Sequence, residues 1–295
     1  METFLQVLVS GLMLGALFAI VSVGLTLIFG IVKVVNFAHG EFLMLGMYLV
    51  YLFTTKLGIH PLLTSVIVAP LLFVAGVVTQ RFIIQPLMSA RDDHIQIFAT
   101  VGLSTALINL ALLLFGADIA NTPSSGLRTP ITFGPVRVLL GQLVILAVSI
   151  MLVIGLQAFL KRTQTGRAIR AVAQNRAAAQ LMGINVNRIY MLTFGIGAAC
   201  VGLAASMVAP LYPTSPNIGT YFVLTAFVVV VLGGLGSLTG AFAGAMIIGL
   251  IDSFAGFYIG SDVREVVVFG VFLLILILKP SGLFSNRLSL SHVSP

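Results

Sequence analysis

"FLQVLVSGLMLGALFAIVSVGLTLIFG", residues 4–30, holds no charged side chain, and its polar ones are only Gln6, Ser10, Ser22 and Thr26. A helix rises 1.5 Å per residue and the hydrocarbon core of a bilayer is roughly 30 Å thick, so about 20 apolar residues suffice to cross it. Residues 4–30 are long enough to do so. Comparable runs recur at about 41–57, 62–80, 95–116, 138–160, 189–211, 221–235, 239–258 and 264–279. The stretch 221–258 also reads as one broken span plus a re-entrant piece, which would give eight crossings instead of nine. The composition agrees: 59% of the 295 residues are hydrophobic, 8% are charged and the mean hydropathy is +1.16. Soluble domains carry about 25% charged residues. The fold class is therefore all-α, a polytopic bundle of eight or nine transmembrane spans, and residues 1–295 form a single membrane domain.

The first run has no basic segment before it and is too long for the core of a cleaved leader, so it reads as a retained span. A net charge of +7 would suggest nucleic-acid binding in a soluble chain. Here the basic residues sit in short loops between spans, the pattern of the positive-inside rule. With the N-terminus outside, nine spans place Lys33, Arg81, Arg91, Lys161, Arg162, Arg167, Arg170, Arg176, Arg188, Lys279 and Arg287 in the cytoplasm. Lys56, Arg128, Arg137 and Arg264 then lie outside. Eight spans separate the charges slightly less well. Tyr190 and Tyr212 bracket the sixth run, as an aromatic at each interface would.

One loop departs from this plan. Residues 161–188, "KRTQTGRAIRAVAQNRAAAQLMGINVNR", carry six basic residues and no acidic one. Thr165 can cap a helix over 166–174 with Ile169, Val172 and Ala173 on one face. Asn175 can cap a second over 176–182, and Gly183 supplies the left-handed position that ends it. A loop that only sets topology needs lysine and arginine, but no caps and no apolar stripe. Amphipathic helices with apolar anchors dock into grooves on partners or lie on anionic lipid. Both readings stay open on pattern alone, with Ile169, Val172, Leu181, Met182 and Ile184 as the contacts.

The same loop, through "RAAAQLMGIN", resembles the coupling loop of permease subunits in branched-chain amino acid ABC importers. The resemblance extends to "GLTLIFGIVKVVNFAHGEFLMLGMY" (24–48) and "VVVVLGGLGSLTGAFAGAMIIGLI" (228–251), and with the order of spans covers essentially the whole chain. It implies that the segment around Ala177, Ala178, Leu181, Met182, Gly183 and Ile184 fits a cleft on an ATPase subunit. It also implies a second permease subunit, usually non-identical, two cytoplasmic ATPases, an external substrate-binding protein and a place in the bacterial inner membrane. The substrates it implies are branched-chain amino acids, or in relatives urea, short amides or other amino acids. The chain has no GxxxxGK[ST] phosphate loop, so ATP hydrolysis is expected in another polypeptide, with no cofactor in this one.

Polar groups within apolar surroundings give the candidates for a translocation path. Asn36, His39 and Glu41, in "VVNFAHGE" (34–41), read either as part of a path or as a cytoplasmic turn with Glu41 favoured at a helix N-terminus. Gly240, in "GGLGSLTGAFAG" (233–244), could serve a hinge, and Gly40-x-Phe42 with Gly240-x-Phe242 hints at an inverted repeat. Asp252 lies within an apolar run, either lining a cavity or near the outer interface. Small residues four apart, at Gly11 and Gly15, at Gly236, Gly240 and Gly244, and at Gly256 and Gly260, are suited to close helix packing, within the chain or on a second subunit. His39, His60, His94 and His292 are scattered and Cys200 is single, so no metal-ligand spacing arises. Loop 117–137 reads as an exposed connection or a docking surface.

An ion-coupled secondary transporter would need internal ionisable relays, for which only Asp252 and Glu41 are available. A passive channel for a small neutral solute needs only a glycine-rich pore. Neither explains a capped cytoplasmic helix pair, and no paired catalytic groups suggest an enzyme.

Overall fold

The computed structural model describes residues 2–88, 94–280 and 282–284. Arg91, Arg287 and His292 lie outside them. The apolar runs fold as α1 (Glu2–Val32), α2 (His39–Leu57), α3 (Ser65–Thr79), α5 (His94–Phe115), α6 (Leu140–Arg162), α9 (Val186–Val208), α10 (Ile218–Gly233), α11 (Leu238–Tyr258) and α12 (Arg264–Leu278). A π turn over Gln80–Ile84 and the short α4 (Gln85–Leu87) prolong α3. The third run thus ends several residues later than its sequence suggests. The basic loop forms α7 (Gln164–Gln174) and α8 (Arg176–Leu181).

Among the described residues six helical stretches are long and apolar enough to cross a membrane: α1, α3 with its extension to Leu87, α5, α6, α9 and α11. The count of eight or nine is not reached by helix length alone. α10 has 16 residues and α12 has 15, short of the roughly 20 a helix needs to span. α2 has 19 but begins with His39, Gly40 and Glu41.

α1 is the central post. It packs against α11, α9, α6 and α10, while α3 lies along α9. Glycine permits the closest crossing. A Cβ on Gly15 would stand 2.8 Å from the Cα of Met246, and one on Gly11 would stand 2.9 Å from that of Leu250. This first GxxxG therefore serves packing within the chain. Gly244 likewise meets α10, where its Cβ would lie 3.0 Å from the Val229 carbonyl, and Gly236 meets Gly30. Gly256 and Gly260 differ. Gly260 lies beyond the end of α11 with no described atom near it, while Gly256 meets the Arg264 side chain at the start of α12 rather than a helix backbone.

Loop 117–137 is more ordered than an exposed connection. β1 (Pro130–Phe133) pairs antiparallel with β2 (Val136–Leu139), with Phe133 opposite Val136. Among the described residues the fold is thus helical with one hairpin rather than strictly all-α. Gly134, at φ 59°, takes the left-handed first position of the two-residue turn. The hairpin is fastened to α1: Gln6 donates from Nε2 to the Arg137 carbonyl and accepts from the Arg137 amide at 2.8 Å. Val136 and Val138 are buried beside Met13. The fifth helix accordingly starts at Leu140, not 138.

Candidate functional site

The basic loop shows which of its residues can meet a partner. Thr163, not Thr165, caps α7: its Oγ1 accepts from the Gly166 amide at 2.9 Å. The chain leaves α6 so abruptly that a Cβ on Gly166 would lie 2.6 Å from the Leu160 Cα, which fixes the cap two residues early. Asn175 caps α8 as its position suggests, its Oδ1 accepting from Ala178 N at 3.0 Å. Gly183, at φ 79°, closes α8. The Gly183 amide bonds the Gln180 carbonyl, and that of Ile184 bonds Ala179, the paired bonds of a Schellman ending.

α7 packs on α6, α1 and α9. Ile169 is 1% exposed and Val172 3%. They are therefore corrected from docking contacts to anchors: the stripe on α7 faces this chain's own bundle, because α7 packs against α1, α6 and α9. Ile184 is half-buried in the same core. Leu181 and Met182 are 89% and 82% exposed, and Ala177, Ala178 and Gly183 are exposed with them. Arg176 lies over the Tyr190 ring at 5.7 Å, and Arg170 Nε donates to the Leu160 carbonyl. Tyr190 is buried here, so it supports the loop instead of standing at a lipid interface.

The second region is a polar junction inside the bundle. After Val32 the chain turns at Lys33, which is exposed, and residues 34–38 run back alongside α1. The ring of His39 reaches the Val21 carbonyl, Nε2 to O 3.2 Å. Val21 lies eleven residues before the end of α1, or about 16 Å along its axis. α2 therefore begins at depth, and Asn36, His39 and Glu41 are buried rather than part of a surface turn. α10 starts at the same level. After α9 the chain passes through residues 209–217, held by an isolated bridge between Ala120 and Thr214 and by Arg128 Nε on the Pro210 carbonyl. It then begins α10 with Gly219 against Gly40, where a Cβ on Gly219 would lie 2.6 Å from the Gly40 carbonyl oxygen.

Two helix N-termini thus meet inside the bundle, one entering from each side. Both turn positive backbone ends toward Glu41. Glu41 Oε1 accepts from Ser104 Oγ on α5 at 3.1 Å, and Thr100 Oγ1 donates to the Val35 carbonyl. Among the described residues, Glu41 Oε2, His39 Nδ1 and Asn36 Nδ2 are buried without partners. The structural counterpart of Gly40 is Gly219. Gly240 packs instead on Gly233 at the turn between α10 and α11.

The third region lies toward the hairpin end. One cavity, of about 410 Å³, is lined by α1, α10, α11 and α12, including Phe18, Thr220, Leu224, Val228, Ile248, Asp252, Glu265 and Phe269. A neighbour of about 470 Å³ is lined by Gln6, Ser10, Gln142, Tyr212, Asp252, Ser253, Arg264 and others. Asp252 lines both cavities. Its carboxylate Oδ1 stands 3.5 Å from Arg264 Nε. Neither Asn36, His39, Glu41 nor Gly240 lines either space. The sequence overlooked Arg264, Glu265, Gly219 and Ser104. A hint was available for Arg264: it opens the apolar run that follows the intramembrane acid.

Residues 7–276 match a family model described as "Branched-chain amino acid transport system / permease component". The chain belongs to this permease family. The permease is 32% identical to the high-affinity branched-chain amino acid transport system permease protein BraD of Pseudomonas aeruginosa, over 96% of each chain. It is 30% identical to the corresponding LivH of Escherichia coli, again over 96% of each. A 126-residue stretch, 40% of the permease, is 33% identical to the ribose import permease protein RbsC of Escherichia coli. No solved structure matches. The permease is a multi-pass helical membrane protein of amino acid transport, and the relatives named are transport permease proteins.

Proposed function

We propose that the chain is the translocation subunit of an ATP-driven importer of branched-chain amino acids in a bacterial inner membrane. The observation that carries the reading is the exposed pair Leu181–Met182. It is presented by a doubly capped helix whose neighbour α7 is anchored into the bundle. An ATPase subunit receives this pair in a cleft. Because Ile169 and Val172 lock α7 onto α1, α6 and α9, motion of α8 is passed into the helices that surround the polar junction. The partners are a second permease subunit of different sequence, two ATPases and an external binding protein. Uptake proceeds by alternating access.

In this reading the chain crosses the bilayer nine times. Two crossings are completed by non-helical segments, residues 33–38 before α2 and 209–217 before α10. The described basic residues support the orientation, with Lys33, Arg81, Lys279 and the loop at one end of the bundle and Lys56, Arg128, Arg137 and Arg264 at the other. Broken segments of this kind are tolerated where neighbouring protein satisfies the backbone. The rearranging unit is the glycine contact between α2 and α10. No larger side chain fits there, and few polar bonds hold it.

The test is reconstitution. Vesicles carrying the complete transporter should accumulate labelled leucine only with ATP and the binding protein. Uphill accumulation by this chain alone, without nucleotide, would overturn the proposal.

A further inference from the structure

We propose that Asp252, Arg264 and Glu265 form a recognition subsite for the zwitterionic head of an aliphatic α-amino acid within this subunit. The inference rests on the importer reading above and assigns to it a place where the permease itself touches substrate.

Asp252 is 4% exposed, and its Oδ2 is buried without a hydrogen-bond partner among the described residues. A buried ionisable group carries a large desolvation cost unless it is paired or functional. Here the pairing is partial, since one oxygen faces Arg264 Nε at 3.5 Å and the other faces no donor. The carboxylate also stands where the two cavities adjoin. Arg264 lines the larger, more polar one and Glu265 the smaller, more apolar one. A solute passing between them meets a guanidinium on one side and two carboxylates on the other.

That arrangement complements a zwitterion. An ammonium group donates to Asp252 Oδ2 and is further attracted by Glu265, while a carboxylate takes the planar donors of Arg264. Beyond the polar Asn217, Thr220, Tyr221 and Thr225, the smaller cavity offers an apolar wall of Leu224, Val228, Ile248 and Phe269. It suits a branched hydrocarbon side chain, and its size lies within the range of small-ligand pockets. A sugar offers no charges to such a subsite, and a simple cation leaves Arg264 unanswered.

The experiment uses the complete transporter in proteoliposomes with a diazirine-bearing leucine analogue, which is itself a zwitterion. Light is followed by peptide mapping, and labelled-leucine uptake is measured in parallel. The label is expected on residues 217–228 or 264–269. It should fall about tenfold or more in Asp252→Asn, the scale of one charge-assisted hydrogen bond to ligand. Uptake should fall with it, and Asp252→Glu should retain most of both. The double variant Asp252→Asn/Arg264→Gln separates recognition from a structural ion pair. Removing both charges leaves no unpaired one and relieves a purely structural defect. Recognition requires the double variant to stay as defective as the single.

Full labelling in either neutral variant, or label confined to other segments, would refute the subsite. Where a neutral variant fails to assemble, Asp252→Glu and Arg264→Lys decide, and loss of labelling in both while assembly is intact counts against it. A wild-type transporter that moves no leucine would bring down the importer reading and the subsite together. Normal leucine uptake in Asp252→Asn would bring down the subsite alone.

Discussion

Truncating Leu181 to alanine tests the division of the basic loop into an anchored half and an offered half. Leu181 is almost fully exposed, so its removal costs the isolated permease nothing in packing. If the ATPase buries it, the complex loses roughly 2 kcal/mol of apolar transfer free energy, or about thirtyfold in affinity. Ile169→Ala removes a side chain of similar size from the opposite situation. Ile169 is buried among α1, α6 and α9, and large-to-small substitution in a core costs about 2–5 kcal/mol of the subunit's own stability. The assay titrates purified ATPase against each permease variant in detergent or nanodiscs, alongside the yield and thermal midpoint of the variant. Leu181→Ala should keep wild-type yield and midpoint while its dissociation constant rises. Ile169→Ala should lower yield and midpoint first. Unchanged ATPase affinity in Leu181→Ala would refute the docking role. Should that variant instead lose binding to anionic vesicles, the loop lies on lipid.

Other expectations follow from single contacts. Gly219→Ala places a methyl 2.6 Å from the Gly40 carbonyl oxygen, so it should force apart the starts of α2 and α10. ATP-dependent uptake should fall at least tenfold with ATPase retention intact, and normal uptake would show that this contact does not move. Asn175→Ala removes the cap of α8 at a cost of about 1 kcal/mol. ATPase affinity should weaken severalfold, and Asn175→Asp, which keeps the accepting oxygen, should restore it. Ser104→Ala removes the side-chain hydrogen bond that the Glu41 carboxylate accepts, a bond worth about 1.5–3 kcal/mol if the carboxylate is charged. A lowered thermal midpoint is expected, and no change would show that Glu41 is satisfied otherwise.

Much of this protein is legible along the chain because lipid imposes a one-dimensional rule. Any segment crossing hydrocarbon must be long and apolar, and hydropathy reports that directly. The helices over 4–30, 189–211 and 239–258, the caps at Asn175 and Gly183 and the family resemblance all emerge from local residues. Local pattern cannot tell which neighbour covers an apolar face, however. On that ground Ile169 and Val172 look like docking contacts when they are anchors, and nothing local marks Gly219 as the neighbour of Gly40. Depth is equally hidden. "VVNFAHGE" has the composition of a surface turn, and only the approach of His39 to Val21 places it inside the bundle. The sequence by itself determined that the chain lives in a membrane and which of its segments are apolar enough to cross one. The tertiary structure alone decided which broken ends meet and which charges share a cavity. Such pairings join residues up to some 180 positions apart, and close approach between them depends on three-dimensional shape rather than on any local preference.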